Sequence, residues 1–134
     1  MAVKGIHHLG VAVEDVDGAV ELYGQLFGAE LVQREVLGDQ GVAAASLRVG
    51  ADRIELLAPL GPDTPVGRFL ANRGPGMHHV AFAVDDVGAE LARLEAGGAE
   101  LVDREPRPGA FGTTVAFVHP HAAAGVLAEL VSDG

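Results

Sequence analysis

The sequence predicts an α+β fold in which two tandem βαβββ modules place their mixed sheets around a shared curved cleft. The first observation is an internal repeat: residues 5–16 read Gly-Ile-His-His-Leu-Gly-Val-Ala-Val-Glu-Asp-Val, and residues 76–87 read Gly-Met-His-His-Val-Ala-Phe-Ala-Val-Asp-Asp-Val. The second is that strand-like and helix-like patterns follow each copy in the same order. A repeat of about 70 residues is too long for a solenoid unit and fits a duplicated domain.

Composition indicates a single globular domain and excludes several classes of partner. The chain has 134 residues, 49% of them hydrophobic, and can bury one substantial core. A formal net charge of −10 argues against nucleic acids and anionic membrane surfaces, because both require a basic patch. The lack of cysteine excludes disulfides and thiolate zinc sites. No apolar run approaches the roughly 18 residues of a membrane span, and no signal-peptide core follows Met1, so we expect a cytoplasmic protein.

Each module is expected to begin with a strand that has one bulky and one small face, since successive strand side chains point to opposite sides. The predicted bulky faces consist of His7, Leu9, Val11 and Val13 in the first module and His78, Val80, Phe82 and Val84 in the second. The predicted small faces consist of His8, Gly10 and Ala12, and of His79, Ala81 and Ala83. A bulky face can pack beneath a helix, whereas a small face leaves open space. We therefore expect the second histidine of each pair to lie beside a cavity.

A helix is expected after each of these strands. In the first module Asp15 or Asp17 can cap a helix that runs to about residue 27 and ends at a glycine. In the second module Asp85 or Asp86 can begin a helix that ends at the Gly-Gly pair of residues 97–98. Nearly identical sequences follow the two helices, at residues 28–35 and 98–105, so a strand is predicted at both places.

Two further strands complete each predicted module. They are residues 42–49 and 53–57 in the first module, and residues 113–118 and 125–131 in the second. Within one domain, residues 1–134, the first module then covers residues 4–60 and the second covers residues 76–133. Residues 61–75 form a linker rich in proline and glycine, and residues 66–72 within it are predicted to form a short helix.

All six histidines of the chain fall into three clusters: His7-His8, His78-His79 and His119-Pro120-His121. Such clustering raises the expectation of a metal or proton-transfer site. His8 and His79 occupy equivalent positions on the small faces, so we interpret them as ligands. The first histidine of each pair lies on a bulky face, where a structural role is expected. For the third cluster, which lies in a predicted turn, a structural role and a contact to substrate both remain open.

One carboxylate lies in the fourth strand of each module, at Glu55 and Glu129. An isolated carboxylate in an apolar strand is costly to bury without a partner. With His8 and His79 these residues make a pseudo-symmetric set of four ligands that suits a divalent first-row ion, with Co²⁺ ranked first and Zn²⁺, Ni²⁺, Mn²⁺ or Fe²⁺ as alternatives. Octahedral coordination would leave two neighbouring positions for substrate oxygens. The alternative interpretation is that both glutamates are solvated at a sheet edge.

Several segments resemble the vicinal-oxygen-chelate superfamily (glyoxalase, bleomycin-resistance proteins and dioxygenases), and within it the methylmalonyl-CoA epimerase family, over nearly the whole chain. The two His-His repeats are typical of the superfamily. The Ala-Pro-Leu turn of residues 58–60, the Glu-Pro-Arg-Pro-Gly loop of residues 105–109 and the His-Pro turn before Gly-Val-Leu at residues 125–127 are more specific to the epimerases. The resemblance implies an acyl-CoA substrate and a homodimer.

The resemblance also implies the roles of individual residues. It implies metal ligands at His8, Glu55, His79 and Glu129. The residues expected to contact the substrate are Arg107, Gly109, Gly112 and Gln40, where the loop glycines can bring backbone amides close to a carboxylate.

The activity that the resemblance implies is that of an isomerase interconverting (2R)- and (2S)-methylmalonyl-CoA. A divalent cation would stabilise the enolate formed when the α-proton is removed, and two acid/base groups or one mobile group must move that proton. Glu129 is the first candidate; Glu55, His119 or a water molecule at the metal is the second. Some epimerases place a glutamate, thought to be an acid/base group, three residues beyond the Gln-Gly pair. Here that position is Ala44, so either another group moves the proton or the substrate differs.

Three other functions compete with the epimerase. A glyoxalase-I-like lyase also uses two histidines and two glutamates, but it acts on a glutathione hemithioacetal, and the Glu-Pro-Arg-Pro-Gly and His-Pro segments disfavour it. An extradiol dioxygenase requires two histidines and one carboxylate, so Glu55 as a fourth ligand disfavours it. A metal-free protein of the same fold that sequesters a small molecule would have no need for the four ligands, and metal analysis would separate it from the enzymes.

Overall fold

The chain alternates strands and helices in nearly the order that the repeat predicts. A computed structural model describes residues 3–133. The elements in chain order are β1 (Val3–Ala12), α1 (Val16–Phe27), β2 (Glu30–Leu37), β3 (Val42–Val49), β4 (Asp52–Pro59), α2 (Pro65–Arg73), β5 (Gly76–Val84), α3 (Val87–Ala96), β6 (Arg107–Pro108), β7 (Thr114–Val118) and β8 (Ala128–Ser132). Among these residues, no helix is long and apolar enough to cross a membrane.

The chain divides into two compact units, and the division falls inside β1 and inside β5. The first unit is His8–His78, and the second consists of residues 3–7 and 79–133. Each boundary therefore separates the two members of a His-His pair. The predicted modules, residues 4–60 and 76–133, differ from these units because the first residues of β1 belong with the C-terminal half of the chain.

The first unit contains a four-stranded array in the order β2-β3-β4-β1. The β2–β3 and β3–β4 pairs are antiparallel, and the last pair is parallel, with Leu9–Ala12 beside Ile54–Leu57. Val11, Leu47 and Leu56 are buried on the face that packs against α1. The bulky face predicted for this strand is thus confirmed as the helix-packing face, and His8 lies on the opposite face.

The first helix begins and ends where capping residues predict. The carboxylate of Asp15 accepts hydrogen bonds from the backbone N–H groups of Asp17 and Gly18. Gly28 ends the helix in the left-handed region, with φ 67°, which glycine adopts without strain. Of the two predicted caps, Asp15 is therefore the one used.

The second unit repeats this arrangement with its own helix. β5 and β8 are parallel, with Val80–Ala83 beside Ala128–Val131, and β8, β7 and β6 continue as antiparallel neighbours. Helix α3 begins at Asp86, whose carboxylate accepts from the N–H of Ala89, and packs Leu91 against Val84 and Leu130. It has 10 residues, whereas α1 has 12.

The strand predicted for residues 98–105 is wrong, although its sequence nearly repeats that of β2. The N–H groups of Val102 and Asp103 both donate to the Phe117 carbonyl, and the Asp103 carboxylate accepts from the Phe117 N–H at 2.8 Å. These bonds converge on one residue, so a regular ladder does not form. The segment forms an isolated β-bridge between Leu101 and Val118, and β6 begins only at residue 107.

The last strand begins later than predicted because the preceding loop satisfies its backbone locally. Residues 120–123 form a 3-10 turn, and Ala124 takes a left-handed conformation with φ 56°. The N–H of Gly125 then donates to the carbonyl of Pro120 at 2.8 Å, and that of Val126 to Ala123 at 3.1 Å. The predicted strand of residues 125–131 is therefore β8, which starts at Ala128.

The short linker helix is confirmed as α2. The hydroxyl of Thr64 donates to the carbonyl of Gly61 at 2.8 Å and accepts from the N–H of Gly67 at 3.1 Å, which fixes the first turn. A side chain on Gly67 would bring its Cβ within 2.5 Å of the Gly61 carbonyl oxygen. The close approach of the two backbones therefore requires glycine at this position.

Candidate metal and catalytic site

In the first unit, the second histidine of the first pair meets a glutamate from the neighbouring strand. His8 and Glu55 are 3% and 6% exposed, and His8 Nδ1 lies 3.2 Å from Glu55 Oε2. The parallel register sets Glu55 opposite Gly10, two residues after the histidine and on the same face. Gly10, which lies between His8 and the position opposite Glu55, adds no side chain to this face. We call His8 and Glu55 the first half-site.

In the second unit, His79 and Glu129 form an equivalent pair, here called the second half-site. They are 4% and 7% exposed, and His79 Nε2 lies 3.4 Å from Glu129 Oε1. Glu129 is opposite Ala81, which again follows the histidine by two residues. The same register therefore produces both half-sites. The alternative of two glutamates solvated at a sheet edge is wrong, because both carboxylates are buried.

The donor atoms of each half-site fit a divalent metal ion. A buried carboxylate requires a partner of opposite charge or hydrogen-bond donors. Ligands at right angles on one ion, with bonds of about 2.0–2.2 Å, stand roughly 3 Å apart. The nitrogen–oxygen separations of 3.2 and 3.4 Å are close to that spacing. Each half-site can thus contribute one imidazole nitrogen and one carboxylate oxygen to an ion.

The first histidine of each pair has a different environment. His7 Nε2 lies 2.9 Å from the carboxylate of Asp133, within the second unit. The ring of His78 packs edge-on against Phe69 in the first unit, with centroids 4.9 Å apart. These contacts agree with the structural role predicted for both residues.

Glu35 faces the same side of the first unit as Glu55 and was missed by the sequence analysis. It lies directly opposite Ala44 on β3, and Ala44 lies opposite Leu57 on β4. Opposed side chains in an antiparallel pair stand about 4.5–5.5 Å apart at Cβ. Glu35 is therefore a half-buried carboxylate on the strand next to Ala44, the position at which the resemblance led us to expect a glutamate. Alternation along β2 assigns Glu35 to one face of the strand, but only the register between β2 and β3 sets it opposite Ala44.

Ser46 lies on the same face and directly opposite Glu55. Its hydroxyl is buried, and no other group among residues 3–133 hydrogen-bonds to it. The equivalent position in the second unit, opposite Glu129, is Phe117. One half-site is therefore bordered by a small polar residue and the other by an aromatic ring.

Phe117 connects the second half-site to Arg107. Its ring packs edge-on against His79, with centroids 5.5 Å apart, and the Arg107 guanidinium lies 5.5 Å from the same ring centroid. Arg107 Nε is 3.2 Å from the Asp103 carboxylate, which holds the side chain in place. Arg107 pairs opposite Val115, on the face that carries Glu129, so a cation lies along the predicted substrate face.

Two other predicted substrate contacts lie in turns, and a third lies where packing requires glycine. Gln40 ends a 3-10 turn, and Gly112 adopts φ 74° beyond β6. The N–H of Gly109 donates to the Thr113 carbonyl at 2.9 Å, so it is already used within the loop. A Cβ on Gly109 would lie 2.5 Å from Val115, so packing requires glycine at this position, and its contact with a substrate carboxylate stays a prediction.

His119, a candidate for the second acid/base group, lies just beyond β7. Its Nε2 is 3.5 Å from the carboxylate of Glu100, and its ring centroid is 4.4 Å from that of His121. These neighbours are outside both half-sites.

Comparison with known proteins gives one superfamily for most of the chain. Residues 7–117 match the model of the Glyoxalase/Bleomycin resistance protein/Dioxygenase superfamily. The ethylmalonyl-CoA/methylmalonyl-CoA epimerase of Cereibacter sphaeroides is 38% identical over 127 residues, which cover 93% of this chain and 95% of that protein.

Solved structures agree with the sequence comparison. The crystal structure of methylmalonyl-CoA epimerase from Mycobacterium tuberculosis superposes with a TM-score of 0.95 at 39% identity, covering 99% of this chain and 90% of that one. A methylmalonyl-CoA epimerase in complex with methylmalonyl-CoA and NH4+ superposes with a TM-score of 0.95 at 38% identity, covering 99% of this chain and 96% of that one. The predicted fold class is confirmed, and the chain belongs to the Glyoxalase/Bleomycin resistance protein/Dioxygenase superfamily.

Proposed function

We propose that this protein is an isomerase that interconverts (2R)- and (2S)-methylmalonyl-CoA. The observation that carries the proposal is the pair of half-sites, each with a buried imidazole and a buried carboxylate in the same strand register. Relatives that resemble the chain over nearly its full length are methylmalonyl-CoA epimerases, and one of them holds methylmalonyl-CoA. An acyl-CoA is therefore the proposed substrate class.

The proposed metal ligands are His8, Glu55, His79 and Glu129, acting on one divalent ion. The two nitrogen and two oxygen donors suit Co²⁺, which we rank first, and Zn²⁺, Ni²⁺, Mn²⁺ or Fe²⁺ as alternatives. When bound, such an ion supplies Lewis-acid stabilisation for negative charge that develops on the substrate oxygens. Phe117 supports this centre by packing against His79, which restricts the orientation of the ring.

Inversion at the α-carbon requires removal of a proton on one face and its return on the other. Glu129 is the proposed first acid/base group, because it is a carboxylate of the substrate face. Two carboxylates of the first unit are candidates for the second group. Glu55 is buried in the first half-site, whereas Glu35 lies opposite Ala44 and is half-buried, so it can exchange its proton with solvent. The contacts of His119 to Glu100 and His121 favour another role for that histidine.

Arg107 is the proposed partner of a substrate carboxylate. A guanidinium group binds carboxylates through parallel hydrogen bonds, and this one is held by Asp103 and the Phe117 ring on the face of Glu129. Gln40 and the Gly112 amide complete the proposed contacts.

The proposal is tested by following solvent deuterium into (2R)- and (2S)-methylmalonyl-CoA with cobalt-loaded protein. Exchange at the α-carbon of both enantiomers, with interconversion, is the expected result. If no exchange occurs and the protein instead forms lactoylglutathione from methylglyoxal and glutathione, the lyase is the correct function. A third outcome is that neither reaction occurs and that the protein retains less than about 0.2 divalent ions per chain. Because a metal enzyme with these four donors should retain its ion, this outcome would support a metal-free binding protein.

The homodimer is proposed on the exposed apolar side chains of α1 and β2. These side chains are Leu22, Leu26, Phe27, Leu31, Val32 and Val36. A patch of large apolar residues on the surface is typical of an interface between chains. Analytical ultracentrifugation of the wild-type protein is expected to give twice the mass of the chain. The variant Phe27→Glu should give the mass of a monomer. The cytoplasmic location stays a prediction.

A further inference from the structure

We propose that Glu100, His119 and His121 form a second divalent-metal site, outside the residues proposed for the epimerase reaction. All three belong to the second unit, and each can offer one ligand atom, with these atoms within 4.8 Å of one another. Two imidazoles and one carboxylate suit the borderline first-row ions Cu²⁺, Zn²⁺ and Ni²⁺. The inference does not depend on the proposed function.

The carboxylate of Glu100 contacts both imidazole rings, one through each oxygen. One of its oxygens lies 3.5 Å from His119 Nε2, and the other lies 3.4 Å from His121 Nδ1. The two ring centroids are 4.4 Å apart. A small contraction of the cluster would therefore bring three donors within bonding distance of one ion.

The backbone holds the three residues in place. The N–H of His119 donates to the carbonyl of Glu100 at 3.1 Å, which joins the end of β7 to the segment after α3. His119 also caps the 3-10 turn of residues 120–123, because its Nδ1 accepts from the N–H of His121 at 3.1 Å. The backbone bond from His119 to Glu100 already fixes the relative position of these two ligands, so binding a cation requires little additional ordering of their segments.

The same cap predicts a specific consequence of metal binding. When Nδ1 of neutral His119 accepts a hydrogen bond, the ring proton resides on Nε2. Coordination through Nε2 requires that proton to reside on Nδ1, which can then no longer accept from the His121 amide. Zinc binding is therefore expected to break this hydrogen bond and to change the environment of one identifiable backbone amide.

The exposure of the cluster determines how the ion is bound. The side chains of His121, Glu100 and His119 are 78%, 56% and 32% exposed, so the ion would exchange with solvent. Water would complete its coordination, as is common when the protein supplies three ligands. Exchangeable zinc at this position would connect the loop before β8 to the segment after α3, and so stabilise the second unit.

The test is a zinc titration of wild-type protein and His121→Ala, followed by equilibrium dialysis and metal analysis. Wild type is expected to bind about one more Zn²⁺ per chain than His121→Ala, because loss of one of three ligands should weaken the site more than tenfold. Glu100→Gln should behave like His121→Ala. Glu95→Gln, an exposed glutamate at the end of α3, is the matched control and should bind as wild type does. Equal stoichiometry in wild type, His121→Ala and Glu100→Gln would overturn the proposal.

A second measurement separates this site from the proposed catalytic ion. In ¹⁵N-labelled protein, added zinc should shift the amide signals of Glu100, His119 and residues 121–123, with the largest change at His121. The double variant His8→Ala/His79→Ala should keep these shifts, whereas His121→Ala should lose them. If these amide signals do not respond to zinc in the wild-type protein, the second site does not exist, whether or not the half-sites bind a metal ion.

Discussion

The two units agree at their half-sites and differ at their outer strands. His8 with Glu55 and His79 with Glu129 use the same parallel register, and each sheet packs its opposite face on a helix. In contrast, Glu30–Leu37 is an eight-residue strand paired with β3, with one register shift between Leu31 and Gln33, while the matching sequence at residues 98–105 has an isolated bridge at Leu101. The difference teaches that the duplication preserves the strand pair that presents the ligands and leaves the edge of each sheet free to change.

This difference has two causes: the partner strand available in the first unit, and one position at which the two copies differ, Gln33 in the first and Asp103 in the second. In the first unit, residues 30–37 pair with the regular strand β3 across a tight turn. In the second unit, the Asp103 side chain occupies the Phe117 N–H, which a neighbouring strand would otherwise use. The Asp103 carboxylate thus takes the place of a backbone carbonyl as the acceptor for this N–H. Aspartate side chains often compete in this way with the backbone hydrogen bonds of secondary structure.

The largest predicted effect tests whether the two half-sites are equivalent. His79→Ala and His8→Ala should each reduce epimerase activity to background and leave less than about 0.2 tightly held cobalt per chain, since loss of one imidazole donor should weaken binding enough for a chelating resin to remove the ion. Cobalt is measured after passage over a chelating resin, which strips exposed ions.

The matched controls for this prediction are the first histidines of the pairs. His78→Ala should cost about 1–2 kcal/mol of stability through loss of the contact with Phe69 while metal content stays near wild type. If His78→Ala lost cobalt and His79→Ala retained it, the faces of the two strands would have to be reversed.

The next prediction asks whether the two glutamates do the same chemistry. Glu129→Gln should slow α-proton exchange by about a hundredfold to ten-thousandfold, the usual contribution of a general acid or base. If each carboxylate serves one face of the substrate, Glu129→Gln and Glu55→Gln should impair opposite enantiomers. Proton wash-out from (2R)- and (2S)-methylmalonyl-CoA, followed separately by NMR, makes the comparison. An equal loss on both enantiomers in both variants would indicate metal ligation as the common role.

A smaller effect should distinguish Glu35 from Glu55 as the second group. Glu35→Gln is expected to lower kcat about tenfold with little change in KM, because a proton carrier acts in the transition state rather than in binding. Glu30→Gln on the same strand, where the exposed side chain pairs with Arg48, is the control. Activity restored by Ala44→Glu in the Glu35→Gln background would support the relation between these two opposed positions. No change in Glu35→Gln would leave Glu55 as the second group.

The smallest effect concerns stability at the two positions opposite the ligand carboxylates. Ser46→Ala removes a buried hydroxyl with no partner among the described residues, so unfolding free energy should change by less than about 1 kcal/mol or increase. Phe117→Ala should cost about 2 kcal/mol, because the ring packs against His79. Urea unfolding monitored by circular dichroism measures both. A large loss in Ser46→Ala would show that its hydroxyl supports Glu55.

Much of the fold and of the site follows from local pattern in the sequence. Alternation placed His8 and His79 on the small faces, and Asp15 and Gly28 predicted the limits of α1, because these signals act within a few residues. The repeat also indicated that Glu55 and Glu129 are equivalent. These features need no knowledge of distant contacts.

The errors arise where contacts between distant residues decide the structure. The loss of the strand at residues 98–105 depends on a bond between Asp103 and Phe117, which periodicity cannot reveal. Glu35 was missed because its position relative to Ala44 depends on strand register. The steric need for glycine at position 109 was not foreseen, because it depends on the distance between Gly109 and Val115. The clustering of the third histidine group was seen, but its partner Glu100 is 19 residues earlier in the chain and outside the motif.

The division inside β1 has a consequence for biosynthesis. Residues 3–7 belong to a compact unit that also includes residues 79–133, and His7 contacts Asp133, 126 positions later in the chain. The segment of residues 3–7 can therefore dock only after residues 79–133 have been synthesised. Long-range closures of this kind slow folding and expose unpaired strand edges in the meantime. A polypeptide truncated within residues 79–133 should consequently leave residues 3–7, as well as its new C-terminal end, open to proteolysis.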